Sequence, residues 1–254
     1  MSTQHRSAGR PRAFDMARIS IIVPALNEAA SIAAAVESAS ASRPHEILVV
    51  DGGSTDETPA LAQEAGATVL GAMRGRGIQQ NAGAGHATGD VLLFLHADTH
   101  LAADGCRQIE AALRDPRVLC GAFRQHIDAG QRRYRLLERG NAWRVRWLGL
   151  PYGDQGIFVR RSTFDQLGGF PEVPFMEDWL LMRRLRRLAW PVLLPGPLHV
   201  SARRWQRHGV LRQTLRNWCL TAAATAGVSP QRLARFYAPH AKTVTTLSAE
   251  HPHV

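Results

Sequence analysis

The sequence predicts an α/β chain: a mostly parallel, doubly wound sheet flanked by helices, followed by a C-terminal helical extension. Three observations carry this. Short apolar runs recur at Ile19–Pro24, Ile47–Asp51, Ala67–Gly71 and Val91–Leu95, with helix-forming stretches between them, the alternation that builds parallel sheets. The run Val91-Leu-Leu-Phe-Leu95 lacks polar alternation and reads as a strand buried on both faces. It stops abruptly at His96-Ala97-Asp98, and in open α/β sheets ligands bind at that carboxyl edge. An ordinary strand end closed by a capping aspartate is the competing reading of this stretch.

Taken in order, the first strand ends at Pro24, and Asn27-Glu28 leads into an Ala-rich helix through about Ser40. The second strand closes at Gly52-Gly53, and Ser54 to Glu57 has the look of a capping box for the next helix. A third helix is expected from Ile78 to Ala87. After the Val91 strand come a helix at Gly105–Leu113 and a strand at Gly121–Asp128. A basic, aromatic-bearing helix follows from Gln131 to Trp147. A strand at Gln155–Val159, a helix at Met176–Leu188 and a last strand at Pro191–Leu194, stopped by Gly196-Pro197, complete the main unit. These spans divide the chain into a disordered tail (1–17), a catalytic-sized domain (18–200), a basic helical extension (201–238) and a loose tail (239–254).

The 254 residues suffice for a sizeable core. The net charge of +10 is almost wholly arginine, Lys242 being the only lysine. That argues against a Walker A phosphate loop and a Schiff-base lysine. An Arg-rich surface suits anionic partners: nucleotide phosphates, acidic lipid headgroups or nucleic acid. Cys106, Cys120 and Cys219 match neither a disulfide framework nor zinc spacing, which points to a reducing compartment. With a polar N-terminal segment and no long apolar run, the expected location is the cytoplasm or the cytoplasmic membrane face.

Four polar clusters fall at strand ends. Pro24 exposes backbone groups beside Glu28, and Asp51 leaves its strand before two glycines that let the backbone approach a flat ligand. Arg74-Gly-Arg76-Gly77, followed by Gln80-Asn81, offers forked guanidinium groups to phosphate. His96 and Asp98 form the fourth; acids there suit a hard divalent cation, Mg²⁺ or Mn²⁺, with histidine shifting the preference towards Mn²⁺. No G-x-G-x-x-G follows the first strand, which argues against a dinucleotide fold.

In this order, Val-Pro-x-x-Asn-Glu, Val-Val-Asp-Gly-Gly-Ser-Thr-Asp, Arg-Gly and a strand ending His-Ala-Asp resemble family 2 glycosyltransferases of the GT-A fold. Gly153-Asp-Gln-Gly156 and Glu177-Asp178 agree in order and spacing. The resemblance spans about Ile19 to Leu194. It implies that Pro24, Glu28 and Asp51 hold the nucleoside of a sugar nucleotide, a UDP-sugar above all. Asp98 would hold the metal on its diphosphate, and Asp178, beside Glu177, would be the general base of an inverting transfer to an acceptor hydroxyl. Arg76, Asn81, Asp154, Arg203 and Arg204 are further donor-contact candidates, and His199, placed after the last strand, a further metal ligand. His96 stands where the family commonly has aspartate; this variant resembles a bacterial subgroup associated with arsenosugar synthesis.

Two other classes remain to be weighed. A sugar nucleotidyltransferase would carry a Gly-rich basic loop after the first strand, where this chain has Ala25 to Ala30. A nucleic-acid-binding module would cluster its basic residues with aromatics, whereas acids stand at these strand ends. The acceptor is a small molecule or a lipid; a homo-oligomer stays open. Around Gly209–Ala226 the stripe Leu211, Leu215, Trp218 and Ala222 beside arginines either packs on the main domain or a second subunit, the favoured reading, or lies on an anionic membrane.

Overall fold

The protein, a computed structural model, is described over residues 17–234, without the side chains of residues 204, 207, 208 and 210–213. The tails expected at 1–17 and 239–254, apart from Ala17, lie outside those residues. Eight strands form one sheet: β1 (Ile19–Ala25), β2 (Glu46–Asp51), β3 (Thr68–Gly71), β4 (Val91–Phe94), β5 (Thr99–Leu101), β6 (Cys120–Ile127), β7 (Ile157–Arg160) and β8 (Val192–Val200). Their order is β3-β2-β1-β4-β7-β6-β8-β5.

The expected parallel half is present, with β2 and β4 flanking β1 and β3 beside β2, all parallel. β7 enters antiparallel to both β4 and β6. β6 and β8 are parallel again, and β5 runs antiparallel to β8 at the edge. The carboxyl ends of β1, β2, β4, β6 and β8 therefore share one edge with the amino end of β7. That single fact gathers the polar clusters.

Helices cover both faces: α1 (Ile32–Ala41), α2 (Thr58–Glu64), α3 (Arg76–His86), α4 (Gly105–Leu113), α5 (Arg132–Leu148), α6 (Arg161–Gln166) and α7 (Glu177–Leu188). The unbroken apolar run of β4 is explained by burial on both sides. Val91, Leu93 and Leu95 pack with Ile32 and Val36 of α1 and Ile109 of α4; Leu92 and Phe94 pack with Phe164 of α6 and Leu181 of α7. Each such side chain contributes about 1.5–3 kcal/mol. Gly83 lets α3 lie close on the sheet, since a Cβ there would come within 2.6 Å of Ile22 and 2.9 Å of Val50.

Several expectations are corrected. Ser54 does not cap α2, which begins four residues later at Thr58; its hydroxyl donates to Asp51 at 2.5 Å, because the strand-end carboxylate is the nearer acceptor. The helix after β1 starts at Ile32 rather than at Asn27-Glu28, since Asn27 adopts a left-handed turn (φ 54°). β8 does not stop before Gly196-Pro197. It runs to Val200, with its register against β6 shifting between Phe123 and Gln125, so His199 lies on a strand rather than after it. Short elements with little periodicity (β5, α6, α8 at Arg203–His208 and α10 at Pro230–Ala234) were not legible beforehand.

The extension is helical as expected, with α9 at Val210–Thr225, but the described part of the stripe does not pack on the main domain. Leu215 and Trp218 are 57% and 64% exposed and Ala222 is also exposed; the buried face is Leu220 and Ala224, set against Met176 and Trp179. Tyr152, whose hydroxyl lies 2.9 Å from that of Thr221, helps to fix this face inward. Leu211 lies outside the described side chains.

Candidate active site

At the shared edge, the loops after β1 and β2 are laced together. Asn27 accepts from the Thr55 N–H at 2.8 Å, and its own N–H donates to Ser54 at 2.9 Å. The Glu28 N–H donates to Thr58 Oγ1 at 2.8 Å, and Ala29 to Asp56 at 3.2 Å. Pro24 and Ala25 stand in register with Val50 and Asp51, so Pro24 and Asp51 lie on adjacent rungs of the ladder. Asp51 accepts from the N–H groups of Gly53 and Ser54, both at 3.0 Å, which fixes its carboxylate at the mouth of the Gly-Gly turn.

Gln79 was missed by the sequence reading, which singled out Gln80 and Asn81 instead. Its amide donates to Ala25 O at 2.9 Å and Val50 O at 2.8 Å, satisfying two carbonyls where β1 and β2 end. No local signal marked it, because the carbonyls it meets lie 54 and 29 residues away along the chain. Asn81 is spent elsewhere: its amide donates to Phe170 O and accepts from Phe170 N–H, both at 2.9 Å. That ties α3 to the loop before α7.

His96 and Asp98 follow β4 in a turn closed by Thr99, whose hydroxyl donates to His96 O at 2.8 Å. Asp98 is an electrostatic neighbour of Glu28, as are Arg203 and Asp56. Burial pushes the Glu28 carboxyl above its ordinary range; the Ser31 hydroxyl opposes this and the Asp98 charge adds to it. Among the described residues Glu28, His96 and Asp98 do not form a group with ligand atoms all within 4.8 Å of one another, although their oxygen and imidazole donors are of the kind a divalent cation takes.

From the other side of the sheet, β7 carries the 3₁₀ turn Gly153–Gln155 to the same edge. The Gly153 N–H donates to Asp178 Oδ2 at 2.6 Å. A Cβ on Gly153 would lie 2.9 Å from His96 Nε2 and 3.2 Å from Asp178 Oδ2. The residues expected to hold metal and to act as base thus meet across one glycine. Asp154 stands in the same turn, its carbonyl accepting from Gln125 at 3.0 Å. Arg144 of α5 lies over the Tyr152 ring at 3.4 Å and donates to Gln155 at 2.6 Å, an arginine the sequence gave no reason to single out.

Glu177 and Asp178 open α7, as expected. Glu177 is buried and pairs with Arg76 at 3.1 Å. Burial raises its carboxyl, Arg76 opposing and Asp178 reinforcing. Arg76 is thereby held between α3 and α7. Arg203 sits at the start of α8, its Nε donating to Ser201 at 3.0 Å; the side chain of Arg204 is outside the described set.

His199 belongs to a group of its own. Its Nδ1 lies 2.8 Å from Asp128 Oδ1, and its ring meets that of His126 at 5.0 Å. Among the described residues this is the group whose ligand atoms, all within 4.8 Å of one another, could hold a metal ion. His199 stands opposite His100, two residues beyond Asp98, on the β5–β8 ladder. His126 and Asp128 were missed because their partner lies about 70 residues away along the chain.

The fold is an α/β sheet with its polar clusters gathered at one edge, and comparison with known proteins gives the family. The model of Glycosyl transferase family 2 matches residues 20–170, and the chain belongs to that family. A curated relative, the undecaprenyl-phosphate 4-deoxy-4-formamido-L-arabinose transferase of Sodalis glossinidius, is 31% identical over 159 residues, 56% of this chain and 48% of its own. The chain spans about half the length of such a relative.

Two solved structures share the fold. S. aureus TarS in complex with UDP-GlcNAc superposes with a TM-score of 0.56 at 16% identity, covering 72% of this chain and 58% of that one. Glucosyl-3-phosphoglycerate synthase from Mycobacterium tuberculosis, in complex with Mn²⁺, UDP and glucosyl-3-phosphoglycerate, superposes with a TM-score of 0.50 at 22% identity, covering 72% and 71%.

Proposed function

We propose that the protein transfers a sugar, with inversion, from a UDP-sugar to an acceptor hydroxyl, assisted by Mn²⁺ or Mg²⁺. The observation that carries this is the meeting of His96, Gly153 and Asp178, with Asp178 anchored on the Gly153 N–H at 2.6 Å. Pro24, Glu28 and Asp51 hold the nucleoside where β1 and β2 end, on the frame that Gln79 fixes. Asp98, with His96, would hold the metal, and His199 is a second candidate ligand through its Asp128-oriented ring. A bound divalent ion supplies positive charge to the departing diphosphate.

This chain's own residues do the rest. Arg203 and Arg204 add charge beside the diphosphate. Asp178 takes the proton of the attacking hydroxyl on the opposite face of the sugar. Glu177, buried against Arg76, docks α7 on α3 and so sets where Asp178 stands. Asp154 faces the sugar or acceptor hydroxyls from the same turn. The acceptor is a small molecule or a lipid-borne group; the name of the Sodalis relative, which includes undecaprenyl phosphate, favours testing the lipid class.

Purified protein incubated with a panel of sugar nucleotides and Mn²⁺ should release UDP from one UDP-sugar above the rest. Release that is unaffected by D178N, or absent across the panel with and without lipid phosphate acceptors, refutes the reading.

A further inference from the structure

Helix α5 carries a face that neither the core nor the proposed site uses. Its inner side is occupied: Tyr134 and Val145 are buried, Asn141 donates to Gln125, and Arg144 lies over Tyr152. On the outer side Leu136, Trp143 and Trp147 recur at spacings of seven and four residues, which places them in one stripe. They are 71%, 58% and 64% exposed. Trp190, which donates to the Arg146 carbonyl at 3.1 Å, extends the patch and is also exposed.

Arginines rim the patch around Trp143 and Trp147. Arg124, Arg139 and Arg146 join Ala142, Trp143 and Trp147 around a shallow groove of about 210 Å³, with no carboxylate in its lining. None of the three guanidinium groups forms a hydrogen bond or ion pair among the described residues. Glu138, the one acid of α5, is turned inward, accepting from the Ile127 N–H at 2.6 Å and pairing with Arg135 at 3.0 Å.

We infer that this face is a membrane-docking surface for an anionic lipid bilayer. Exposed tryptophans with a polar edge sit well at a bilayer interface, and unpaired arginines beside them meet anionic headgroups. A nucleic acid would match the arginines and could stack on the tryptophans, but would leave the 71% exposed Leu136 without an apolar partner; a bilayer accepts all three. No helix among the described residues is long and apolar enough to cross a membrane, so the contact is peripheral. From its inner side the same helix turns Arg144 towards the Tyr152–Gln155 turn of the proposed site. Docking itself does not depend on the transfer chemistry.

The test is co-sedimentation of the full chain with vesicles of phosphatidylglycerol and phosphatidylethanolamine, compared with phosphatidylcholine alone. Binding is expected to the anionic vesicles only, and to weaken about tenfold or more at about 0.5 M salt. W143A/W147A and R139Q/R146Q should each weaken it to a similar degree, with unchanged melting temperature, while W218A stays within about twofold. W143A/W147A should also lose the blue shift of tryptophan fluorescence on vesicle addition. Absence of pelleting, equal binding to neutral vesicles, or loss on W218A alone overturns the inference. So does binding to an RNA oligonucleotide that these variants weaken while vesicles do not bind. UDP binding with Mn²⁺, measured on the same variants, reports on the donor site separately and is expected to be unchanged.

Discussion

Asp178 accepts the Gly153 N–H at 2.6 Å, joining the start of α7 to the turn that precedes β7. The contact orients one carboxylate oxygen, while the other accepts from the Trp179 N–H at 2.7 Å. Asparagine keeps the shape and one of the two acceptor oxygens, for one of these N–H groups, but loses basicity. D178N is therefore expected to lower transfer by on the order of 10²–10⁴ with donor affinity nearly unchanged, measured by single-turnover kinetics beside UDP titration. A near-normal rate would move the base to another carboxylate.

Metal binding separates two groups of residues. D98A should abolish Mn²⁺-dependent UDP binding in calorimetry, with the far-ultraviolet circular dichroism retained; H96A should do less. If His199 shares that ion, H199A and D128N should each weaken the Mn²⁺-dependent part by about 10–100-fold, the scale of lost ligands and their orienting partners. Full metal dependence in H199A would leave the donor metal to the Asp98 group alone.

Glu28 gives a pH signature. Its folded carboxyl holds a proton to higher pH than the same group in the unfolded chain, because burial penalises its charge. The unfolded chain then binds fewer protons above the ordinary Glu range, and stability falls as pH rises through the window up to the raised value. E28Q keeps an acceptor for the Ser31 hydroxyl and removes the titration. With metal chelated, wild type and E28Q should melt most alike near pH 4, and E28Q should gain on wild type towards pH 7. The opposite trend would mean that burial is not what governs this carboxyl.

The three cysteines should divide cleanly. Cys106 and Cys120 are buried, and burial pushes their thiols up to about 11 and about 12; Cys219 is exposed. Thiol reagents at neutral pH should label Cys219 quickly and the other two only on unfolding. Mass spectrometry after a short pulse checks this, and early labelling of Cys106 would show that α4 opens away from Ser42, whose hydroxyl lies 3.1 Å from the Cys106 sulfur.

The sequence alone determined the alternation of strands and helices, the doubly buried β4 and the order of the acidic strand ends. Apolar periodicity and turn residues act over a few residues, and Val91 to Leu95 shows its burial in its own composition. What polar side chains pair with is settled only when distant segments meet. Ser54 reads as a helix cap and instead bonds Asp51; Asn81 reads as a phosphate neighbour and instead holds Phe170, 89 residues on. Nor does any local signal give the antiparallel entry of β7, which brings Gly153 and Asp178 beside His96, or the β6–β8 pairing that assembles His126, Asp128 and His199. Likewise the outward stripes of α5 and α9 have ordinary helical periods. Which face a helix buries depends on the surface it meets, and only the tertiary structure supplies that surface.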